Sequence, residues 1–413
     1  MTRQDAQAEV TRRRVFYIPG YDPIHPRRYR ELYRKEAAAQ AAISGYDIAL
    51  RPRQGAATYG WHVESRMEGH STTTEVDVLV WSDIVRDSMA SSILATYAQL
   101  ARTVWTYVAT GALFRLMRLR KGPVIAALYP VGMLLLQLVL ALLVGWATGV
   151  LTATAFRLAG AGGVAPWIGL AIGASAVIPV LIWFRRRDNR FFAYYLMHDY
   201  AFSARWGGAN PPELEARMAE FGSAIAGALA EEADEVLVVG HSSGAHLAIS
   251  VLSDLIRAGR VRADGPALAF LSLGQVVPMM SFLPRAWRLR ADLAFLSQSG
   301  EITWMDVTAP GDGCAFALCD PVAVSGVAPA GKRWPLVVSA AFSQTLSPGR
   351  WKELRWRFFR LHFQYLCAFD RPGDYDYFRI TAGPLRLATR YAGRAASKSR
   401  IERAVNRFTA QSA

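Results

Sequence analysis

A serine hydroxyl attacks a carbonyl carbon at neutral pH only when a base takes its proton, and that base is usually a histidine steadied by a carboxylate. One stretch of this 413-residue chain offers such a serine. Val236-Leu237-Val238-Val239 runs into Gly240-His241-Ser242-Ser243-Gly244, and an apolar segment leaves it. That order reads as strand, sharp turn and helix, with Ser242 at the tip of the turn. Gly240 and Gly244 permit the tight bend, and His241 lies between Gly240 and Ser242. A helix starting near Ser243 aims unpaired backbone N–H groups at the same spot, so the Ser243 N–H is a candidate donor to a developing oxyanion.

The partners must come from elsewhere in the chain. Of seven histidines, His241 and His246 lie too close to the turn to face back onto Ser242, and only His362 lies downstream of them. It sits in the aromatic segment Phe358–Leu366. A carboxylate is expected between serine and histidine in the order Ser, Asp or Glu, His. Asp312 is preferred, because it lies on the Pro-Gly loop that follows the predicted strand Ile302–Val307, where active-site groups of parallel sheets collect. Asp306, inside that strand, is the second choice, and Asp320, before Pro321, the third. A second oxyanion donor is expected from the loop after the first strand, Pro19-Gly20-Tyr21, where Gly20 allows close approach and Tyr21 offers its N–H. Such a site needs no cofactor. No Cys/His spacing indicates a metal, and Cys314, Cys319 and Cys367 suggest no disulfide framework.

Strands and helices must hold these groups. Strands are predicted at Val15–Ile18, Tyr46–Leu50, Trp61–Met67, Val76–Trp81, Val236–Val239, Ala267–Leu273, Ile302–Val307 and Leu336–Ala341. Helices are predicted over Arg27–Ala42, Ile84–Leu119, Pro211–Ala230 and Leu283–Leu296. The opening strand-helix-strand order points to an α/β fold with a mostly parallel sheet flanked by helices.

Two uncharged runs, Gly122–Phe156 and Leu158–Phe184, are each longer than the roughly 20 residues that cross a bilayer. They read as a two-helix transmembrane hairpin, with Gly145/Gly149 and Gly169/Gly173 as Gly-x-x-x-Gly pairs for close packing. Arg115 to Lys121 before it and Arg185 to Arg190 after it are rich in positive charge, which predicts two spans with both termini cytoplasmic. The polar start, Met1–Arg14, has no apolar core, so no cleavable signal peptide is expected. The net charge of +14 favours an anionic partner. Its basic residues cluster beside the apolar runs and in the tail from Leu385, and no nucleic-acid motif appears; anionic lipid headgroups are therefore expected rather than nucleic acid. The tail itself reads equally well as a solvated end or as a lipid-attracted segment. The expected parts are 1–120 and 188–384 as the two portions of one α/β domain, 121–187 as the hairpin, and 385–413 as the tail.

On the Gly-His-Ser-Ser-Gly turn, the Pro-Gly-Tyr loop, the Pro-Gly-Asp loop and the late His362, the chain resembles the α/β-hydrolases of the esterase and lipase kind. The resemblance covers most of the chain outside the hairpin. It implies acyl transfer from an ester to Ser242 and hydrolysis by water, with an acyl-ester or lipid substrate. Two features depart from the family pattern: Pro19-Gly20 replaces the commoner His-Gly, and the hairpin is inserted between the early strands and the turn. The rival expectation is a non-catalytic membrane protein that uses this scaffold for binding or assembly.

Overall fold

In the computed structural model, residues 9–53, 58–89 and 92–413 are described. The chain forms two compact units, one of Met1–Arg86, Thr110–Pro123 and Trp206–Ala413, the other of Asp87–Ala109 and Val124–Arg205.

The first unit is an α/β structure around an eight-stranded sheet. Its strands are β1 (Arg12–Ile18), β2 (Asp47–Pro52), β3 (Tyr59–Met67), β4 (His70–Val78), β5 (Glu235–His241), β6 (Ala267–Leu273), β7 (Ile302–Thr308) and β8 (Leu336–Ser339). They lie in the order β2-β3-β4-β1-β5-β6-β7-β8. β1 pairs in parallel with both β4 and β5, and β5 to β8 continue in parallel. The edge made by β2, β3 and β4 is antiparallel. The opening strand-helix-strand segment therefore does not form adjacent parallel strands; β1 goes to the centre of the sheet and β2 to its edge.

Strand periodicity builds the core. Val15 and Tyr17 of β1 and Leu237 and Val239 of β5 share one face with Tyr29 and Tyr33 of the helix Arg27–Ser44. The middle strands are buried on both faces, which explains their nearly unbroken aliphatic runs. The helix Pro212–Leu229 buries Leu214, Met218, Phe221, Ile225 and Leu229, the face its spacing predicts.

Three local expectations need correction. β4 begins at His70, not Val76, because Glu68 and Gly69 make a tight turn with positive φ and the polar stretch after it is already strand. Ile84–Leu119 is not one helix but three, Ser82–Met89, Ile93–Ala109 and Ala112–Leu119, with Gly111 in the left-handed region before the last. The start of the tail is not a frayed end, although most residues after Leu387 are exposed. Buried Arg13 pairs with Glu235 at 2.7 Å and donates to the carbonyls of Gly383 and Leu385, while the Leu387 N–H donates to Glu235. Farther on, Ile401 bridges Cys319.

The second unit holds the apolar helix Ala165–Arg186, of 22 residues, and, from Val124 on, the apolar helix Lys121–Leu158, of 38 residues. Both are long and apolar enough to cross a membrane. Large apolar side chains such as Trp146, Leu151, Trp167 and Leu170 are exposed rather than packed. The paired glycines face each other: a Cβ at Gly145 or Gly149 would come within 2.7 or 2.8 Å of the carbonyl oxygen of Gly173 or Gly169.

Candidate active site

β5 carries Ser242 to the carboxyl end of the sheet, and the elbow helix, Gly244–Arg257, starts two residues later. Ser242 has φ +57°, in the left-handed region that residues other than glycine rarely adopt. Its own N–H donates to Leu273 O at the end of β6, at 2.9 Å, which clamps the turn. The close packing here dictates glycine. A Cβ at Gly244 would lie 2.1 Å from Ile18 O, and one at Gly240 would lie 2.7 Å from Ala245 Cα. Ser243 opens the helix, and its N–H makes no hydrogen bond among the described residues. Ser242 itself is only partly buried, between a buried His241 and a buried Ser243.

The loop after β1 lies against the same turn. A Cβ at Gly20 would meet Ser242 Cβ at 3.0 Å and its Oγ at 3.5 Å. This loop is held in place by Trp81, whose ring N–H donates to Pro19 O at 2.9 Å, and by the Tyr21 ring against Trp81. Asp22 adds a hydrogen bond from Tyr29 and an ion pair with Arg28, whose guanidinium also covers the Phe363 ring.

His362 ends a short helix, Phe358–His362, and its Nδ1 meets Asp312 Oδ2 at 2.7 Å, with both side chains buried. A carboxylate can only accept, so Nδ1 carries the proton and Nε2 is left as the basic nitrogen. Burial by itself would raise the Asp312 carboxyl, but the His362 ring and hydrogen bonds from His362, the Cys314 N–H and Tyr365 bring it below its ordinary value. Asp312 is therefore a carboxylate at neutral pH.

This pair is seated against the serine turn. Leu273, which accepts from Ser242 N–H, is followed by Gly274, and a Cβ on Gly274 would lie 3.1 Å from His362 Cε1. The His241 and His362 rings lie 4.9 Å apart, and His241 Nε2 donates to His362 O at 3.0 Å. Burial pushes His241 down to about 3, so it is neutral.

The two other acid choices lie elsewhere. Asp306 is fully buried within the sheet, accepts from Ser272 Oγ at 2.6 Å, and is pushed up to about 8 by burial. It is largely protonated at pH 7. Asp320 caps the helix Pro321–Val324 by accepting from the Val322 and Ala323 N–H groups, and it pairs with Lys332 at 2.6 Å. Neither is hydrogen-bonded to His362.

Two positioning groups escaped the sequence reading. Tyr365 donates its hydroxyl to Asp312 Oδ2 at 3.0 Å and accepts from the Ala309 N–H at 3.0 Å. Its place three residues after His362 was the only available hint. His241 was read as part of the turn and also holds the backbone of His362. Asp312, Cys314 and His362 have ligand atoms within 4.8 Å of one another, a spacing that suits a metal. Both Asp312 oxygens, however, are already engaged, by the Cys314 N–H on one side and by His362 and Tyr365 on the other. The donor set fits a hydrogen-bonded His–Asp pair better than a metal centre. No family model, curated protein or solved structure matches this chain.

Proposed function

We propose that this chain is a membrane-anchored serine hydrolase of the α/β-hydrolase type, cleaving carboxylic esters through an acyl-enzyme on Ser242. The observation that carries this reading is a serine in the left-handed region at a strand-to-helix turn, with a buried His362–Asp312 pair seated against that turn. In the proposed cycle Ser242 Oγ attacks the ester carbonyl carbon while His362 Nε2 takes its proton. The oxyanion accepts from the Ser243 N–H and, as second donor, the Tyr21 N–H. Collapse breaks the bond to the alcohol oxygen, which receives the proton from His362. Water, deprotonated by the same ring, then releases the acid and restores Ser242. Asp312 keeps the Nδ1–H tautomer and offsets the imidazolium charge.

An acyl-lipid substrate is supported by the segment immediately before His362. Arg355-Trp356-Arg357-Phe358-Phe359-Arg360 is exposed throughout, with Trp356 72% exposed and Phe358 47% exposed. Alternating cations and exposed aromatic rings suit the headgroup level of an anionic bilayer. The two apolar helices and their basic flanks support the two-span anchor with cytoplasmic termini. A reporter fused at either terminus that registers as exported overturns that topology.

The decisive test is labelling by a fluorophosphonate probe together with ester hydrolysis on the detergent-solubilised full chain. Wild type is expected to label, and Ser242→Ala and His362→Ala are each expected to lose several powers of ten in turnover. The double variant should be little worse, because the two groups act as one unit. A folded wild type that does not label favours the non-catalytic scaffold.

A further inference from the structure

The chain enters its first apolar helix from a short basic one in the first unit. The helix Ala112–Leu119 buries Ala112, Leu116 and Leu119 and exposes Phe114 and Arg118, one turn apart, on the opposite side. Arg120 fastens its end by donating to Ala317 O at 2.7 Å, and exposed Lys121 opens the helix Lys121–Leu158. Between Thr110 and Gly122 there is no acidic residue.

The far end of the tail comes to the same place. Arg115 donates to Val405 O at 3.0 Å. The tail is pinned on both sides of that contact: the Ile401 N–H donates to Leu318 O at 2.7 Å, and Ala410 O accepts from the buried Arg290 at 2.7 Å. Arg403 and Arg407 are each two residues from Val405, so at most about 7 Å of backbone separates either from it. Both are exposed.

The charges gathered here are uncommitted. Arg115, Arg118, Lys121, Arg403 and Arg407 form no ion pair among the described residues. Glu402 is the one acid from Leu385 onward, and it is engaged by Arg400 at 3.0 Å and Lys332 at 3.9 Å. Like charges held this close repel one another unless an anionic partner offsets them.

We propose that the helix Ala112–Leu119 and the tail around Val405 form one docking surface for anionic lipid headgroups, on the leaflet that the first apolar helix enters. Two observations favour lipid over nucleic acid. The surface runs directly into a helix long and apolar enough to cross a bilayer. Exposed Phe114 lies one turn from Arg118, a pairing of ring and cation suited to the headgroup level. The inference rests on the membrane-anchor part of the reading above and not on its ester chemistry.

The test uses the full chain in dodecyl maltoside, in a Ser242→Ala background so that no probe is turned over. Phosphatidylglycerol and phosphatidylcholine carrying the same fluorescent acyl chain are titrated, with anisotropy as the readout. Phosphatidylglycerol should be preferred by about tenfold or more, and the preference should shrink as salt rises. A cation near an anionic surface is worth about fivefold in association. Arg118→Gln should therefore weaken phosphatidylglycerol binding about fivefold, and Arg403→Gln with Arg407→Gln about twentyfold. Arg66→Gln with Arg260→Gln, which removes two exposed, unpaired arginines elsewhere in the same unit, should leave it unchanged. All five side chains are exposed, so the variants should fold, with thermal midpoints like the parent's. No preference between the lipids, or a preference that survives the helix and tail variants combined, overturns the surface. So does saturable binding of a duplex oligonucleotide without lipid preference, which would assign the patch to nucleic acid. A chain that stays monodisperse without detergent overturns the anchor, and this surface with it. A detergent-requiring chain without lipid preference overturns the surface alone.

Discussion

Replacing Ser242 by glycine and by alanine should separate the strain of the elbow from its chemistry. At φ +57° a side chain with a Cβ pays about 1–2 kcal/mol relative to the right-handed region. Alanine keeps that cost and glycine removes it. Glycine also loses about 0.5–1 kcal/mol of chain entropy relative to alanine on folding. The balance favours Ser242→Gly over Ser242→Ala by about 0.5–1 kcal/mol, whereas at an ordinary position the order is reversed. For a unit of this size, that is a thermal midpoint higher by ~1–2 °C for the glycine variant. Both variants should fail to hydrolyse esters and fail to take a fluorophosphonate label. The assay is a pair of denaturation curves in the same detergent, read with probe labelling on the same samples. An alanine variant more stable than the glycine variant would refute the strained elbow, and labelling of either would place the nucleophile elsewhere.

Other outcomes follow from the same contacts. Asp312→Asn should lower kcat by roughly 10⁴, as in other triads, because the amide cannot hold the Nδ1–H tautomer; Asp306→Asn should leave kcat near wild type, because that carboxyl is already protonated and makes no contact with His362. Tyr365→Phe leaves the buried Ala309 N–H without its acceptor, so stability should fall by about 1–3 kcal/mol, and kcat should fall about tenfold with KM unchanged as Asp312 loosens; unchanged stability and rate would remove its positioning role. Stability should also depend on pH in two opposite ways. His241 and His246 are held down to about 3 and 4, below the value of about 6.5 for an unfolded histidine, so each contributes stability that is full above about pH 6.5 and lost at about 1.4 kcal/mol per pH unit as the pH falls toward those values. Asp306, raised to about 8, binds a proton that the unfolded chain releases near pH 4, so its contribution is lost as the pH rises toward 8, and denaturation curves of Asp306→Asn should lack that decline.

Much of the chain could be read from local pattern. The Gly-x-Ser-x-Gly turn needs only neighbours in sequence, since a strand, two glycines and a helix start place Ser242 at the tip. The helix Pro212–Leu229 and strand β6 were likewise legible, because apolar spacing and burial coincide there. β4 was half hidden, because its inward residues include Thr72 and Thr74. Their hydroxyls donate to the carbonyls of Val10 and Thr381, so a polar sequence becomes buried strand.

Tertiary structure decided the rest. Asp306, Asp312 and Asp320 have the same chemistry, and only the path of the chain brings Asp312, fifty residues from His362, within 2.7 Å of it. The same path sends Asp306 into the sheet and Asp320 to a helix cap. The arginine-rich tail read equally well as a solvated end or a lipid-attracted segment, because its partners are remote in sequence. Glu68 meets Arg390, Asp374 meets Arg394, and the Arg13–Glu235 pair receives the backbone from Gly383 to Leu387. Local composition determines which residues are able to do the chemistry; long-range packing determines which of them meet, because a hydrogen bond depends on position to a few tenths of an ångström and spacing along the chain carries no such information.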